Sequence, residues 1–64
     1  MSAEWKASHR TAIAGVRLED IARQLDAMGH QANRVDDFPE GAGRRWMELA
    51  HSLLVEARVL QDRA

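Results

Sequence analysis

Cysteine is absent from this chain of 64 residues. Without a thiol, neither a disulfide framework nor a thiolate metal site can form, which fits a reducing compartment. No run approaches the roughly 18 apolar residues that a membrane span needs. Near the N-terminus, Glu4 is followed by no apolar stretch of the kind that a secretory signal carries. We therefore expect a cytoplasmic protein with no membrane partner.

An excess of charge of either sign is also missing. Nine basic and ten acidic side chains give a net charge of −1, and they are spread evenly along the chain. Proteins that bind nucleic acids concentrate basic residues on one face, so this pattern disfavours a nucleic-acid partner. The chain also lacks a phosphate-binding glycine loop, and Ser8-His9 and His51-Ser52 are sequence neighbours whose side chains diverge on a helix. We predict no enzymatic activity and no cofactor.

Proline occurs once, in the segment Asp-Asp-Phe-Pro-Glu-Gly-Ala-Gly at residues 36–43. Pro39 cannot continue a helix, and it biases Phe38 toward an extended conformation. This segment therefore separates two helical stretches. We predict a single helical-hairpin domain over residues 1–64, with helix 1 at about 2–34, a turn at 35–43 and helix 2 at about 44–62.

Apolar residues recur at steps of three and four on both sides of the turn. This spacing places each set along one seam of a helix. The seam of helix 1 consists of Leu18, Ile21, Leu25, Met28, Ala32 and Val35, and that of helix 2 of Trp46, Ala50, Leu53, Ala57, Leu60 and Ala64. The predicted fold is all-α, an antiparallel two-helix hairpin. Because a lone hairpin has no third layer to cover its seams, we expect it to pair into a four-helix bundle as a homodimer or higher homo-oligomer.

The two predicted helices differ in length. With the turn centred near residue 40, positions that sum to about 80 face each other, and residues 1–15 extend beyond helix 2. Either the chain folds back near Gly15, or helix 1 continues and Trp5 faces another subunit. A single glycine is a poor helix breaker, which favours the second alternative. The residues expected at contacts are Trp5, Ile13, Val16, Leu18, Ile21, Leu25, Met28, Trp46, Leu53 and Leu60. Trp46 is expected either to fill a core beside Phe38 or, with Met28 and Met47, to grip a partner helix.

The sequence Glu48-Leu49-Ala50-His51 has the Glu-x-x-His form that di-iron helix bundles use. By the same sum rule, His30 lies nearly opposite His51, and two histidines with a carboxylate suit zinc or nickel. However, Glu48 and His51 lie off the helix 2 seam, toward solvent, and no glutamate is expected opposite them. We therefore predict a solvated polar face and no metal site, with a metal-binding bundle as the alternative.

The turn and helix 2 also resemble a known family. Asp37-Phe38-Pro39, Trp46, Met47-Glu48-Leu49-Ala50 and Arg58-Val59-Leu60 are similar to motifs of the Rop-like family, small bacterial proteins encoded among nitrogen-fixation genes. The resemblance implies a hairpin that pairs into a four-helix bundle and a non-catalytic accessory or adaptor role, with a nitrogen-fixation client near nitrogenase or its maturation. The alternative is an RNA-binding four-helix-bundle regulator, as in the plasmid-copy regulator that gives the family its name. Its candidate basic residues are interleaved with acids: Arg10, Arg17, Arg23 and Arg34.

Overall fold

In the computed structural model, residues 2–63 are described, with side chains from residue 8 onward. They form α1 (Ser2–Ala32) and α2 (Ala42–Arg63). No strand occurs within residues 2–63, and the two helices pack against each other along a rod of 54 × 13 × 12 Å. The predicted all-α hairpin is confirmed. α1 runs through Gly15 without a break.

The turn lies two residues earlier in the chain than the sequence suggested, at residues 33–41 instead of 35–43. α1 closes with Asn33 N donating to Gly29 O at 3.2 Å and Arg34 N donating to Gln31 O at 3.0 Å. The chain then reverses at Pro39, whose carbonyl accepts from Ala42 N at 3.0 Å. Gly41 has φ of 78°, the positive value that the third residue of a type II turn requires. α1 therefore ends two residues before the predicted position, and α2 begins two residues before it.

The smallest residues form the contact between the helices, and of the predicted seams only the alanines take part: Ala32 on α1 and Ala50 and Ala57 on α2 are buried. A stripe of buried glycine and alanine recurs at every seventh position, with Gly15, Ala22 and Gly29 on α1 and Gly43, Ala50 and Ala57 on α2. A Cβ atom placed on Gly29 would lie 2.8 Å from the Gly43 carbonyl oxygen, and one placed on Gly43 would lie 2.5 Å from the Gly29 carbonyl oxygen. The two backbones are therefore in direct contact, and the seven-residue repeat keeps the stripe facing α2 along its length.

This stripe fixes how the helices are aligned. A Cβ on Gly15 would lie 3.1 Å from the Ala57 carbonyl oxygen, just as Gly29 meets Gly43 nearer the turn. Contacting positions thus sum to 72 or, for Gly15 with Gln61 and Gly29 with Met47, to 76. The predicted sum of 80 was wrong, because the turn spans residues 33–41 and is centred near residue 37 instead of residue 40. Arg63, the last residue of α2, lies level with about residues 9–13 of α1. The segment of α1 beyond α2 is therefore shorter than the predicted 1–15.

The hairpin buries very little large apolar surface. Its buried hydrophobic residues are all alanines: Ala22, Ala32, Ala42, Ala50 and Ala57. Among the described side chains, every leucine, isoleucine, valine, methionine, tryptophan and phenylalanine stays half-buried or exposed. Neither described helix combines the length and the apolar character that a membrane-spanning helix requires.

Candidate functional site: an unpartnered apolar face

One side of the hairpin carries large apolar residues from both helices, and we call it the apolar face. In an antiparallel pair, residues with equal offsets from the contact stripe project to the same side. Leu25 follows Ala22 by three residues as Leu53 follows Ala50, and Ile21 precedes Ala22 by one residue as Leu49 precedes Ala50. The apolar face consists of Leu18, Ile21, Leu25 and Met28 from α1 and Trp46, Leu49, Leu53 and Leu60 from α2.

The apolar face is open to solvent. Ile21 and Met28 are each 53% exposed and Leu49 is 56% exposed, whereas the other members are half-buried. Contiguous apolar surface of this kind on a soluble protein usually marks a contact site. The predicted seam of α1 is thus real as a pattern, but it lies beside the contact with α2 rather than in it.

The opposite side, which we call the polar face, satisfies its charged groups locally. Glu19 accepts from Arg23 at 3.2 Å, and Asp26 lies 3.4 Å from His30. Gln61 bridges the helices, since its Nε2 donates to the Gly15 carbonyl at 3.3 Å and to Glu19 Oε1 at 3.3 Å. A shallow cleft of about 220 Å³ on this side is lined by Ala22, Arg23, Asp26, Met47, Ala50, His51 and Leu54. The two sides of the hairpin therefore differ in chemistry.

Aromatic residues stand at the turn end of the apolar face. The rings of Phe38 and Trp46 meet edge to face, with centroids 5.4 Å apart and planes at 79°. Phe38 remains 43% exposed, and Trp46 is half-buried. We call these two residues the aromatic pair. The contact with Phe38 that was predicted for Trp46 is present, but it lies on the surface of the hairpin.

An open groove occupies the end of the apolar face that is far from the turn. It has a volume of about 570 Å³ and is lined by Arg10, Ile13, Ala14, Arg17, Leu18, Ile21 and Leu60. Its walls are apolar apart from the two arginines. We call it the arginine-rimmed groove. Within residues 8–63, neither Arg10 nor Arg17 forms an ion pair.

Comparison of the chain with protein-family models, curated proteins and solved structures found no match. The resemblance to the Rop-like family stays a prediction.

The candidate metal ligands do not come together. Glu48 is exposed and pairs with Arg44, with Nε and Oε1 3.3 Å apart. The predicted position of His30 opposite His51 is wrong, because the observed alignment puts His51 level with residues 21–25, beside Arg23 and Asp26 in one cleft. His30 lies at least five residues further along α1, or about 7 Å or more at the rise of a helix. Within the described part of the chain, no three histidine or acidic side chains are placed to hold one ion.

The predicted contact residues fall into three groups. Leu18, Ile21, Leu25, Met28, Trp46, Leu53 and Leu60 lie on the apolar face. Ile13 is 39% exposed at the wall of the groove, and Val16 is 62% exposed on the other side of α1 from Ile21. Trp5 belongs to the backbone of α1, but its side chain lies outside the described residues. The sequence interpretation missed Leu49 as a member of the face, although its place one residue before Ala50 matches that of Ile21 before Ala22.

Proposed function

We propose that this protein is a non-catalytic contact module, a hairpin whose apolar face pairs with a second hairpin to make a four-helix bundle. One observation carries the proposal. Inside the hairpin, the buried apolar side chains are alanines, while Ile21, Met28 and Leu49 on one face are more than half exposed. Such a distribution is typical of a subunit whose hydrophobic core is completed by its partner.

Free energy favours this pairing. Burying a large aliphatic side chain contributes about 1.5–3 kcal/mol, and the apolar face offers several such side chains. The stripe between the helices buries only alanine and glycine, which gain much less. A chain of 64 residues also lies near the lower limit for folding alone. The pairing of two apolar faces therefore supplies most of the hydrophobic stabilisation available to the protein.

The adaptor role follows from the same surface together with the family resemblance. Two hairpins joined through their apolar faces leave both polar faces outside, where they are accessible to a client protein. The residues shared with the Rop-like family support a nitrogen-fixation client, at nitrogenase or its maturation. The position of the gene tests this part of the proposal, since a neighbourhood without nitrogen-fixation genes would count against it.

Replacing Ile21 with aspartate should dissociate the assembly. Ile21 is 53% exposed in the hairpin, so the change is tolerated within one chain but places a charge in the proposed interface. Because the residue occurs twice in a dimer, we expect the dissociation constant to rise on the order of a hundredfold or more. Sedimentation equilibrium at micromolar concentration measures the change.

Val55→Asp is the matched control for this experiment. Val55 is 49% exposed, similar to Ile21, but it lies about 200° around α2 from Leu53 and so points away from the apolar face. The control should sediment like the natural chain. A natural chain that is a folded monomer at micromolar concentration, or equal effects of the two variants, would contradict the proposal.

A further inference from the structure

We propose that the two hairpins pair with their turns at opposite ends, and that the aromatic pair of each copy sits in the arginine-rimmed groove of the other. This inference rests on the proposed function, and it names the partner, its orientation and the anchoring contact. Three features of the hairpin lead to it: the positions of these elements along the rod, their charges and their shapes.

The positions match when one hairpin is reversed. Trp46 lies four residues before Ala50 and Leu18 lies four residues before Ala22. Since Ala22 and Ala50 are level at the midpoint of the helix contact, each residue is about 6 Å from that midpoint, in opposite directions. Consider a two-fold axis that lies between the two stacked apolar faces and is perpendicular to the helices at this midpoint. This axis brings Trp46 of one copy level with Leu18 of the other.

The alternative orientation does not use the groove. If the turns lay at the same end, the aromatic pair of one copy would lie level with that of the other copy. The two grooves would likewise lie level with each other, which places Arg10 and Arg17 of one copy beside those of the other. Neither groove would then receive an aromatic side chain.

Charge favours the same orientation. The turn end of the hairpin carries three acids, Asp36, Asp37 and Glu40. Of the arginines at this end, Arg44 is paired with Glu48, which leaves Arg34 and Arg45, so the turn end is net acidic by one charge. Arg10 lies twelve residues from Ala22, or about 18 Å along α1. Asp36 lies in the other direction, in the turn four residues beyond the end of α1, and α1 itself ends about 15 Å from Ala22. Reversal therefore brings the acidic turn of one copy level with Arg10 of the other.

These charges are available for such contacts. Within residues 8–63, Asp36 and Asp37, like the two groove arginines, form no ion pair. At the same end of α2, Glu56 and Arg63 offset each other, so Arg10 and Arg17 set the charge beside the groove. Opposite charges across an interface select the partner orientation, whereas a same-end pairing would place acid against acid and arginine against arginine.

Shape completes the match. Phe38 lies in the turn, is 43% exposed and packs edge to face against Trp46, so the two rings are presented together. The groove is open and its walls are almost entirely apolar. Aromatic residues and arginine are the side chains most enriched at protein interfaces, and an arginine over an aromatic face adds a cation–π attraction.

A spin-label distance tests the orientation. Because the natural chain has no cysteine, Arg34→Cys provides a single labelling site per chain, on an exposed residue after the end of α1. Arg34 lies twelve residues from Ala22, so turns at opposite ends put the two labels about 36 Å apart along the bundle. Turns at the same end would put them side by side, within roughly 20 Å, since packed helices are spaced by about 10 Å.

A charge exchange tests the contact. In the full-length chain, reversing both turn acids (Asp36→Arg with Asp37→Arg) should raise the dissociation constant about tenfold or more at low salt, because the exchange occurs at both ends of the dimer. Reversing both groove arginines (Arg10→Asp with Arg17→Asp) should have the same effect. All four changes in one chain should restore the dissociation constant to within about threefold of the natural value. Asp20→Arg with Asp26→Arg makes an equal change in net charge away from the apolar face, and it should leave dimerisation unchanged.

The outcomes separate the two proposals. A label distance near 36 Å, together with a dissociation constant that the quadruple variant restores, supports the inference. The inference is overturned by a label distance below about 20 Å, or by a quadruple variant that dimerises as weakly as the two double variants. Either result leaves a dimer and hence the proposed function. A natural chain that sediments as a folded monomer overturns the proposed function itself.

Discussion

Replacing Gly43 with alanine should destabilise the hairpin, even though alanine favours a helix over glycine by about 1 kcal/mol. A Cβ at this position would lie 2.5 Å from the Gly29 carbonyl oxygen and even closer to Asn33 Oδ1. Backbone atoms cannot give way as a flexible side chain can, so the helices must separate. Overpacking of this kind costs about 1–3 kcal/mol, which exceeds the gain in helix propensity.

The glycines of the stripe should form a graded series. Gly29→Ala would place a Cβ 2.8 Å from the Gly43 carbonyl oxygen and should also destabilise. Gly15→Ala meets Gln61 Cγ at 2.8 Å, the movable part of a side chain, and should cost least. Urea denaturation at a fixed protein concentration measures the series, and Ala27→Gly at an exposed position of α1 measures the propensity term alone. Greater stability of Gly43→Ala than of the natural chain would refute direct backbone contact.

Two adjacent leucines should respond very differently to truncation. Leu53 lies on the apolar face and Leu54 lines the cleft of the polar face, and both are half-buried in the hairpin. If the apolar face is covered by a second copy, Leu53 is fully buried in the assembly and Leu53→Ala should cost about 2–5 kcal/mol, as for a core leucine. Leu54→Ala removes an equal volume from a site that stays open, and it should cost about 1 kcal/mol.

The variants Leu53→Ala and Leu54→Ala also report on dimerisation. The unfolding midpoint of the natural chain should rise with protein concentration, because a dimer is stabilised by mass action. Leu53→Ala should lower this midpoint at every concentration and raise the dissociation constant, whereas Leu54→Ala should leave the dissociation constant unchanged. Circular dichroism melts over a hundredfold range of concentration, run beside sedimentation, give both quantities. Equal losses in the two variants would mean that the apolar face is not covered.

The hairpin could be predicted from the sequence because its signals are strong. Pro39 ends one helical stretch, and apolar residues at steps of three and four define a helix on each side. Local rules for proline and helical periodicity suffice for this level of structure. Local spacing also accounts for the ion pair of Glu19 with Arg23, which lie four residues apart on α1 and are 3.2 Å from each other.

The alignment of the helices could not be predicted in the same way. Hydrophobic periodicity weights large side chains, so in α1 it mainly located the surface that the hairpin leaves open. In α2 the predicted seam also contained Ala50 and Ala57, which are buried against α1. Glycine and alanine contribute little to such a pattern, although Gly15, Ala22 and Gly29 repeat at the same interval as Gly43, Ala50 and Ala57. This shared interval was the available signal. The contact of Trp46 with Phe38 was predicted, whereas the arginine-rimmed groove depends on the alignment and was not visible in the sequence.

The contact stripe also makes tolerance to substitution one-sided. Glycine and a fully enclosed alanine such as Ala57, which is 0% exposed, already have the smallest side chains. Almost every substitution at these positions therefore adds volume that presses on the backbone of the other helix. The leucines and Met28 on the apolar face can exchange with one another at small cost, since volume-conserving swaps among apolar residues are well tolerated. Random mutagenesis of this chain should therefore deplete variants at the smallest side chains most strongly, and leave the largest ones comparatively free to vary.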